Sequence, residues 1–270
     1  MSIASILVAV DTGAAAARRV RLAAGLARRF EATLTGVAAR KLPNPGPTAE
    51  IVAAQVAYDE ERAKLADELA RAEDVFRANA GTDIRTGWRQ AEDGPEAFLV
   101  RQTRGADLTV VGRDDPGAAH DAMVPNPGMV LMEAGRPVLV VPPGVDRLDA
   151  ARIVIAWKDA PEARRAVSAA LPFIGHADKV FVVSVGSEAR FKGAEEVSEF
   201  LARHGAHVTT NLLDAAAGEF ADRILHFARR EDADLVVMGG YGHSRLREWL
   251  FGGVTRDMLR TSPLCCLMSH

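Results

Sequence analysis

The sequence predicts an α/β protein of two tandem domains, each built on a five-stranded parallel doubly wound sheet. Three observations lead there. First, the chain is written twice: ILVAVDTGAAAARRVRLAAGLA from Ile6 returns as IVIAWKDAPEARRAVSAALPFI from Ile153, 147 positions later. RGADLTVVGR, ending at Arg113, returns as EDADLVVMGG, ending at Gly240, at an offset of 127, and RPVLVVP returns as SPLCCLM, which sets Pro137 against Pro263 at 126. Second, most of the apolar runs are rich in Val, Ile and Leu without interruption, as strands covered on both faces must be. Third, stretches of helical spacing separate those runs, which implies right-handed crossovers and a parallel, Rossmann-like sheet in each copy.

Strands are expected near residues 5–11, 32–38, 82–89, 107–112 and 137–142 in the first copy. In the second they fall near 152–157, 179–185, 207–213, 234–239 and 264–268. The offset shrinks between the second and fourth strands because the first copy carries a longer helix, about Thr48 to Ala80. Its Ile51, Ala54, Tyr58, Leu65, Leu69, Ala72 and Phe76 are spaced by threes and fours or their sums, the period of an amphipathic helix. The second copy has only GAEEVSEFLARHG at that place. Pro43, Pro45 and Gly46 form a loop before the long helix, and VPPGVDRLD at 141–149 is the linker between copies. The domains are therefore placed at 1–145 and 151–270.

With 270 residues the chain exceeds the roughly 100 to 200 residues of one domain. Hydrophobic residues make up 48% and charged residues 26%, a balance that sets it apart from disordered and membrane proteins. A net charge of -3 and a pI near 6.2 leave no positive field to gather nucleic acid or acidic lipid, so neither is expected as a partner. No apolar run approaches the roughly 18 residues of a membrane span, and MSIASILVAVDTG lacks a basic leader region; a cytoplasmic location is expected. Cys265 and Cys266 are adjacent in LCCLM and would face opposite sides of a strand. They are expected to be buried thiols rather than a disulfide or a metal pair.

The stretch VVMGGYGHSRLREWLFGGVT, residues 236–255, places glycines directly after an apolar run. An open doubly wound sheet takes its ligand at the carboxyl ends of the strands where strand order reverses, and ADLVVMGGYG ends a strand there. Gly239, Gly240 and Gly242 allow positive φ and close approach of the backbone to a ligand, with successive N–H groups turned toward an anion. Gly252 and Gly253 either lie inside a helix, at about 1 kcal/mol each relative to alanine, or end a loop before a helix that starts at Val254. In the second case free amides and the positive end of the helix dipole suit a phosphate. Turn formation and helix packing are the alternative explanation for all of these glycines.

The spacing of Gly239, two residues, Gly242, nine residues, Gly252 resembles the nucleotide signature of the universal stress protein family, G-x2-G-x9-G-[S/T]. The two copies together resemble a tandem member of that family over nearly the whole chain. The resemblance implies an adenine nucleotide, ATP in the first instance, with phosphates and ribose held by Gly239, Gly242, Gly252 and Gly253 and with adenine against Ala156, Val185 and Met238. Gly253 departs from the pattern because it lacks the hydroxyl, which Thr255, beyond Val254, would replace in part. The family's strand-one aspartate falls on Asp11 in the first copy but on Lys158 in the second. There the lysine either pairs with a phosphate or is a solvated strand-end charge beside Asp159. The first copy keeps Asp11 but has Asp115 in place of Gly242 and Asn126 in place of Gly252, and Asp114 with Asp115 would repel a triphosphate, so this copy reads as a degenerate partner domain. The resemblance also implies that the fifth strands pair antiparallel across a two-fold axis. Such an intrachain pseudo-dimer covers exposed apolar edges and still allows a homodimer of chains.

Other candidates carry less. His243 follows the glycine turn and is a candidate phosphate contact or acid-base group, since its unperturbed pKa is near 6.5. Arg245, Arg247 and Glu248 read mainly as a charged helix face, with Arg245 able to close over an anion; Trp157 and Trp249 read as packing residues. His204 and His207 form an H-x2-H pair better explained by a turn than by zinc, and His270 is not expected to be catalytic. The chain has neither G-x4-G-K-[ST] nor G-x-S-x-G, and neither first strand ends in an S-G-G-x-D-S type loop. Catalysis beyond slow ATP hydrolysis is therefore not expected. The expected function is regulatory binding of an adenine nucleotide in the stress response, which shifts conformation or partner preference. The alternatives are an interaction scaffold whose pocket is empty or holds another metabolite, motivated by Lys158 and Gly253, and a weak nucleotide hydrolase using His243.

Overall fold

The structure, a computed structural model, describes residues 2–42, 51–113, 122–186, 192–216, 218–242 and 253–270. The strands of the first repeat are β1 (Ser5–Ala9), β2 (Thr33–Ala39), β3 (Thr86–Ala91), β4 (Leu108–Gly112) and β5 (Val138–Val141). Those of the second are β6 (Arg152–Ala156), β7 (Lys179–Val185), β8 (Val208–Leu213), β9 (Leu235–Gly239) and β10 (Cys265–Ser269). All ten belong to one sheet in the order β3-β2-β1-β4-β5-β10-β9-β6-β7-β8. Each half is parallel throughout, and the seam alone is antiparallel: Val140 faces Cys266, Leu139 faces Leu267 and Val138 faces Met268. A pseudo-two-fold axis runs through the Leu139–Leu267 pair.

Helices cover both faces, as uninterrupted apolar strands require. One layer holds α1 (Ala16–Phe30), α2 (Ile51–Ala80), α5 (Pro161–Ile174) and α6 (Ala194–Arg203), whose Leu26, Phe76, Phe173 and Leu201 are buried against Val8 and Ile155. The other holds α3 (Pro95–Gln102), α4 (Pro127–Glu133), α7 (Phe220–Arg230) and α8 (Val254–Thr261), with Leu99, Leu131, Phe227 and Met258 packed against Val111 and Val236. Phe30 and Phe173 meet edge to face at 5.2 Å, which locks α1 to α5 across the repeats.

Three expectations need correction. The third strand starts at Thr86 rather than near residue 82, because Gly81 turns the chain at φ +82° and Asp83 is held by Arg28 at 2.5 and 2.9 Å. Of the apolar stripe of α2, Leu65, Leu69, Ala72 and Phe76 are buried whereas Tyr58 is exposed, and near it Arg40 bridges Glu61 and Glu68, each at 3.2 Å. The repeat offset at the fifth strand also differs from the one that Pro137 and Pro263 suggest. Val138 faces Thr109 as Cys266 faces Val236, so the strands correspond two residues later than the prolines imply.

The carboxyl-end crevice of the first repeat is filled by its own side chains. The Asp11 carboxylate accepts from the Gly13 amide at 2.8 Å and pairs with the Arg19 guanidinium, both groups being buried. Arg19 Nε donates to the Ala9 carbonyl at 2.8 Å, and a Cβ on Gly112 would meet Arg19 Nη1 at 2.6 Å. The guanidinium thus occupies the gap between β1 and β4, and Asp11 has its partners within the chain. Asp11→Ala leaves that cation buried without its counter-charge; it should lower the unfolding free energy by about 3 kcal/mol in a denaturant titration, and Arg19→Met in the same chain should restore most of the loss.

The thiols sit as the alternation of a strand requires, Cys265 in the first layer and Cys266 in the second, both free and buried. Burial pushes the Cys266 thiol from 9.0 up to about 12, against a small opposing effect of its contact with Ser262 Oγ at 3.3 Å, and burial raises Cys265 as well. A thiol with a raised folded pKa stabilises the fold fully below its unfolded pKa, so this contribution should decline as pH rises from about 9 toward 12. At pH 8 a native thiolate fraction on the order of 10⁻⁴ should leave both thiols unreactive toward an aromatic disulfide reagent, whereas both should react once urea unfolds the chain.

Candidate functional site

In the second repeat strand order reverses between β6 and β9, so their carboxyl ends open the crevice in which such sheets take ligands. Three segments meet there: the glycine turn after β9, the start of α5 and the start of α8. Pro161 begins α5 and presets its first turn, which places Glu162 within it. The glycine turn passes so close that a Cβ on Gly239 would lie 2.6 Å from both the Ala163 amide nitrogen and Glu162 Cγ. A Cβ on Gly240 would lie 2.5 Å from Leu131 Cδ2 of α4, which belongs to the other repeat, and one on Gly242 would collide with Glu162 Oε1. Positive φ is found at Tyr241, at +46°, and not at Gly239, Gly240 or Gly242. Protein atoms thus stand where a Cβ would go, main chain of α5 at Gly239 and side chains at Gly240 and Gly242, and none of the three takes the expected positive φ.

The turn is tied down on two sides. Tyr241 N donates to Thr255 Oγ1 at 3.2 Å, and Thr255 is buried; its hydroxyl joins the turn to α8. Gly240 N donates to the Ser269 carbonyl at 2.8 Å, and His270 Nδ1 lies 3.1 Å from the Gly240 carbonyl oxygen.

The helix following the turn starts at Val254, so Gly253 is its N-cap and not an interior residue. Gly253 gives no side-chain cap. The equivalent helix of the first repeat, α4, is capped by Asn126, whose Oδ1 accepts from Met129 N at 3.0 Å. Matching the caps sets Asn126 against Gly253, one residue away from the Gly252 that repeat spacing suggested. Among the described residues, the first turn of α8 therefore lacks the side-chain acceptor that its counterpart has, at the positive end of the helix dipole.

The remaining candidates are distributed around this turn. Ala156, Val185 and Met238 lie at the ends of β6, β7 and β9 and share the face toward the second core layer; Val185 and Met238 are buried and Ala156 packs against that layer. Lys158 is exposed beyond β6, beside Asp159, which pairs with Arg164. Trp157 is buried and its Nε1 donates to the Lys192 carbonyl at 3.0 Å, a packing role. His243, Arg245, Arg247, Glu248, Trp249 and Gly252 lie outside the described residues, as do Asp114 and Asp115 of the first repeat. His204 and His207 are exposed, with His204 against the Phe200 ring at 4.6 Å, and among the described residues no group of three His, Cys, Asp or Glu gathers for a metal.

Sequence reasoning missed Glu162 and Leu131. Glu162 is 7% exposed and lies in the first turn of α5, where the helix dipole favours a carboxylate; among the described residues it has no ion-pair partner. The pair Pro161–Glu162 signals a helix start, but no local signal says which turn that helix abuts. Leu131 comes from the other repeat and carries no signal at all.

The universal stress protein family model matches residues 3–142 and again residues 150–270. A search of curated proteins finds no significant match. Among solved structures, a universal stress protein from Archaeoglobus fulgidus DSM 4304 superposes with a TM-score of 0.72 at 15% identity, covering 98% of this chain and 95% of that one. A functionally unknown protein from Pseudomonas aeruginosa PAO1 gives 0.59 at 18% identity over 99% of this chain and 92% of its own, and a putative universal stress protein from P. aeruginosa UCBPP-PA14 gives 0.58 at 18% over 99% and 93%. These likenesses agree on the two-repeat α/β fold, and among the described residues no helix is long and apolar enough to cross a membrane. With both repeats matched and the sheet order in place, the chain belongs to the universal stress protein family as a tandem of two family domains.

Proposed function

We propose that the second repeat binds an adenine nucleotide, ATP in the first instance, and that binding regulates the conformation or partner preference of this chain during the stress response in the cytoplasm. The observation that carries this reading is the contrast between the two helix starts: Asn126 caps α4 with its own side chain, whereas Gly253 has no side chain to cap α8. Phosphate oxygens are suited to amides at a helix N-terminus. They would meet Gly253, Val254 and Thr255 from that turn together with Gly239, Gly242, His243 and Gly252, with Lys158 at the rim and adenine on the face of Ala156, Val185 and Met238. Glu162 is a resident anion beside this place, and a phosphate must displace it or bind against it. His243 is the candidate for slow hydrolysis, binding without fast turnover being the main activity. A homodimer of chains is compatible with this reading, and one chain suffices for the site.

A scaffold without nucleotide is the second reading, favoured by the protein atoms that occupy the room beside Gly239, Gly240 and Gly242. Calorimetric titration with ATP separates the two. Wild type should bind, and Glu162→Ala should bind about tenfold more tightly, a gain on the order of 1.4 kcal/mol from removing a like charge. Gly253→Asn should restore the cap that α4 has, stabilise the fold by a few tenths of a kcal/mol and weaken ATP at least about tenfold. Absence of heat from both wild type and Glu162→Ala at millimolar ATP would support the scaffold and end the nucleotide reading.

A further inference from the structure

The pseudo-two-fold axis relates two grooves that run between the repeats, one beside α1 and one beside α5. The first is covered by the chain itself. Residues 142–150 run over α1: Arg18 Nη1 donates to the Gly144 carbonyl at 3.1 Å, Arg21 Nη2 approaches the Asp146 carboxylate at 3.5 Å, and Arg29 Nη1 donates to the Asp149 carbonyl at 2.5 Å. Val145, Leu148 and Ala150 turn inward onto the first core layer, Leu148 and Ala150 being buried. This face accepts a segment by an aliphatic anchor, Leu148, with two arginine bonds to main-chain carbonyls and one to the Asp146 carboxylate.

The second groove is an open cavity of about 520 Å³, within the usual range for ligand sites. Ile3, Leu108 and Pro137 of the first repeat and Ala169 and Pro172 of α5 supply its apolar lining, and Arg136, Arg164 and Arg165 supply its charge. Arg165 holds the place in α5 that Arg18 holds in α1, and it makes a comparable bond, Nε to the His270 carbonyl at 2.9 Å. Leu22, on the linker-covered helix, is 1% exposed, whereas Ala169 at the equivalent position remains partly exposed. Among the described residues the Arg136 guanidinium has neither an ion pair nor a hydrogen bond. Asp107 also lines the cavity, but its carboxylate is turned onto the Ala4 and Ser5 amides at 2.8 and 3.0 Å, so it does not serve the arginines.

We propose that this groove seats a segment of a partner protein that carries an aliphatic side chain, as Leu148 does in the related groove, together with acidic residues that complement the arginine-lined rim. The aliphatic group covers the lining beside Ala169 and Pro172, and the carboxylates meet Arg136 and Arg165. The site is separate from the glycine turn but adjoins it, since His270 borders the cavity and contacts Gly240.

The test uses the full chain and, as probe, a fluorescein-labelled peptide with the sequence of residues 142–150, PPGVDRLDA, read by anisotropy at 0.15 M salt. Saturable binding with one peptide per chain is expected. The double variant Arg136→Glu, Arg165→Glu should weaken it at least about tenfold, as reversal of rim charges against an acidic partner does. Serine in place of the peptide's leucine should weaken it comparably against the unaltered protein, a readout that does not depend on the folding of a variant. No saturation at millimolar peptide, or an affinity left unchanged both by the double variant and by the serine peptide, overturns the proposal. Sodium octanoate is the control for a small amphipathic anion: if it binds and loses affinity in the double variant while the peptide fails, the groove is a small-anion site and the partner segment is ruled out.

Discussion

The antiparallel pairing of β5 with β10 is the constraint on which the rest of this molecule depends. Each half-sheet is parallel and ends in a short apolar strand, VLVV in one repeat and CCLMS in the other, whose free edge would invite pairing with another chain. Setting Leu139 against Leu267 removes both edges at once and makes ten strands continuous. The same pairing carries α4 of the first repeat onto the glycine turn of the second, where Leu131 lies under Gly240 and the Tyr241 hydroxyl would meet a Cβ on Gly128 at 2.7 Å. The crevice of the second repeat is therefore built by both repeats, and its glycines answer to that closeness.

The repeats have diverged by inverting what fills equivalent places. In the first, a buried Asp11–Arg19 pair closes the gap between strands and Asn126 satisfies the following helix start. In the second, Lys158 replaces the aspartate and is exposed, an alanine stands at the Arg19 position, and Gly253 offers α8 no side-chain cap. A buried carboxylate, Glu162, rests in the first turn of α5, where the helix dipole favours negative charge. Nucleotide binding, on this account, is an exchange of one anion for another, and its strength depends on how readily Glu162 gives way.

Much of the architecture was legible because parallel strands buried on both faces leave apolar runs that stand out from any helix between them. The twofold writing of the chain exposed the tandem organisation, and the alternation of Cys265 and Cys266 between core layers followed from strand period alone. The register of the fifth strands was not legible, since Pro137 and Pro263 precede them at different distances and proline marks a strand's approach without fixing its pairing. Nor was the start of β3, which depends on an ion pair between Arg28 and Asp83 far apart in sequence. At the site, spacing located the glycine turn and left open the helix start at Val254. It did not show that Leu131 and Glu162 lie against those glycines, because both reach them through tertiary packing that no local pattern encodes.

The central claim is that the first turn of α8 is where a phosphate group is received. Amide chemical shifts of Val254, Thr255 and Arg256, followed by ¹⁵N-resolved NMR during addition of ATP, test it directly. The account predicts that these three amides move together and saturate with the nucleotide, while Met129, capped by Asn126 in the other repeat, stays in place. Saturating shifts confined to other parts of the chain, or none at millimolar ATP, would contradict it.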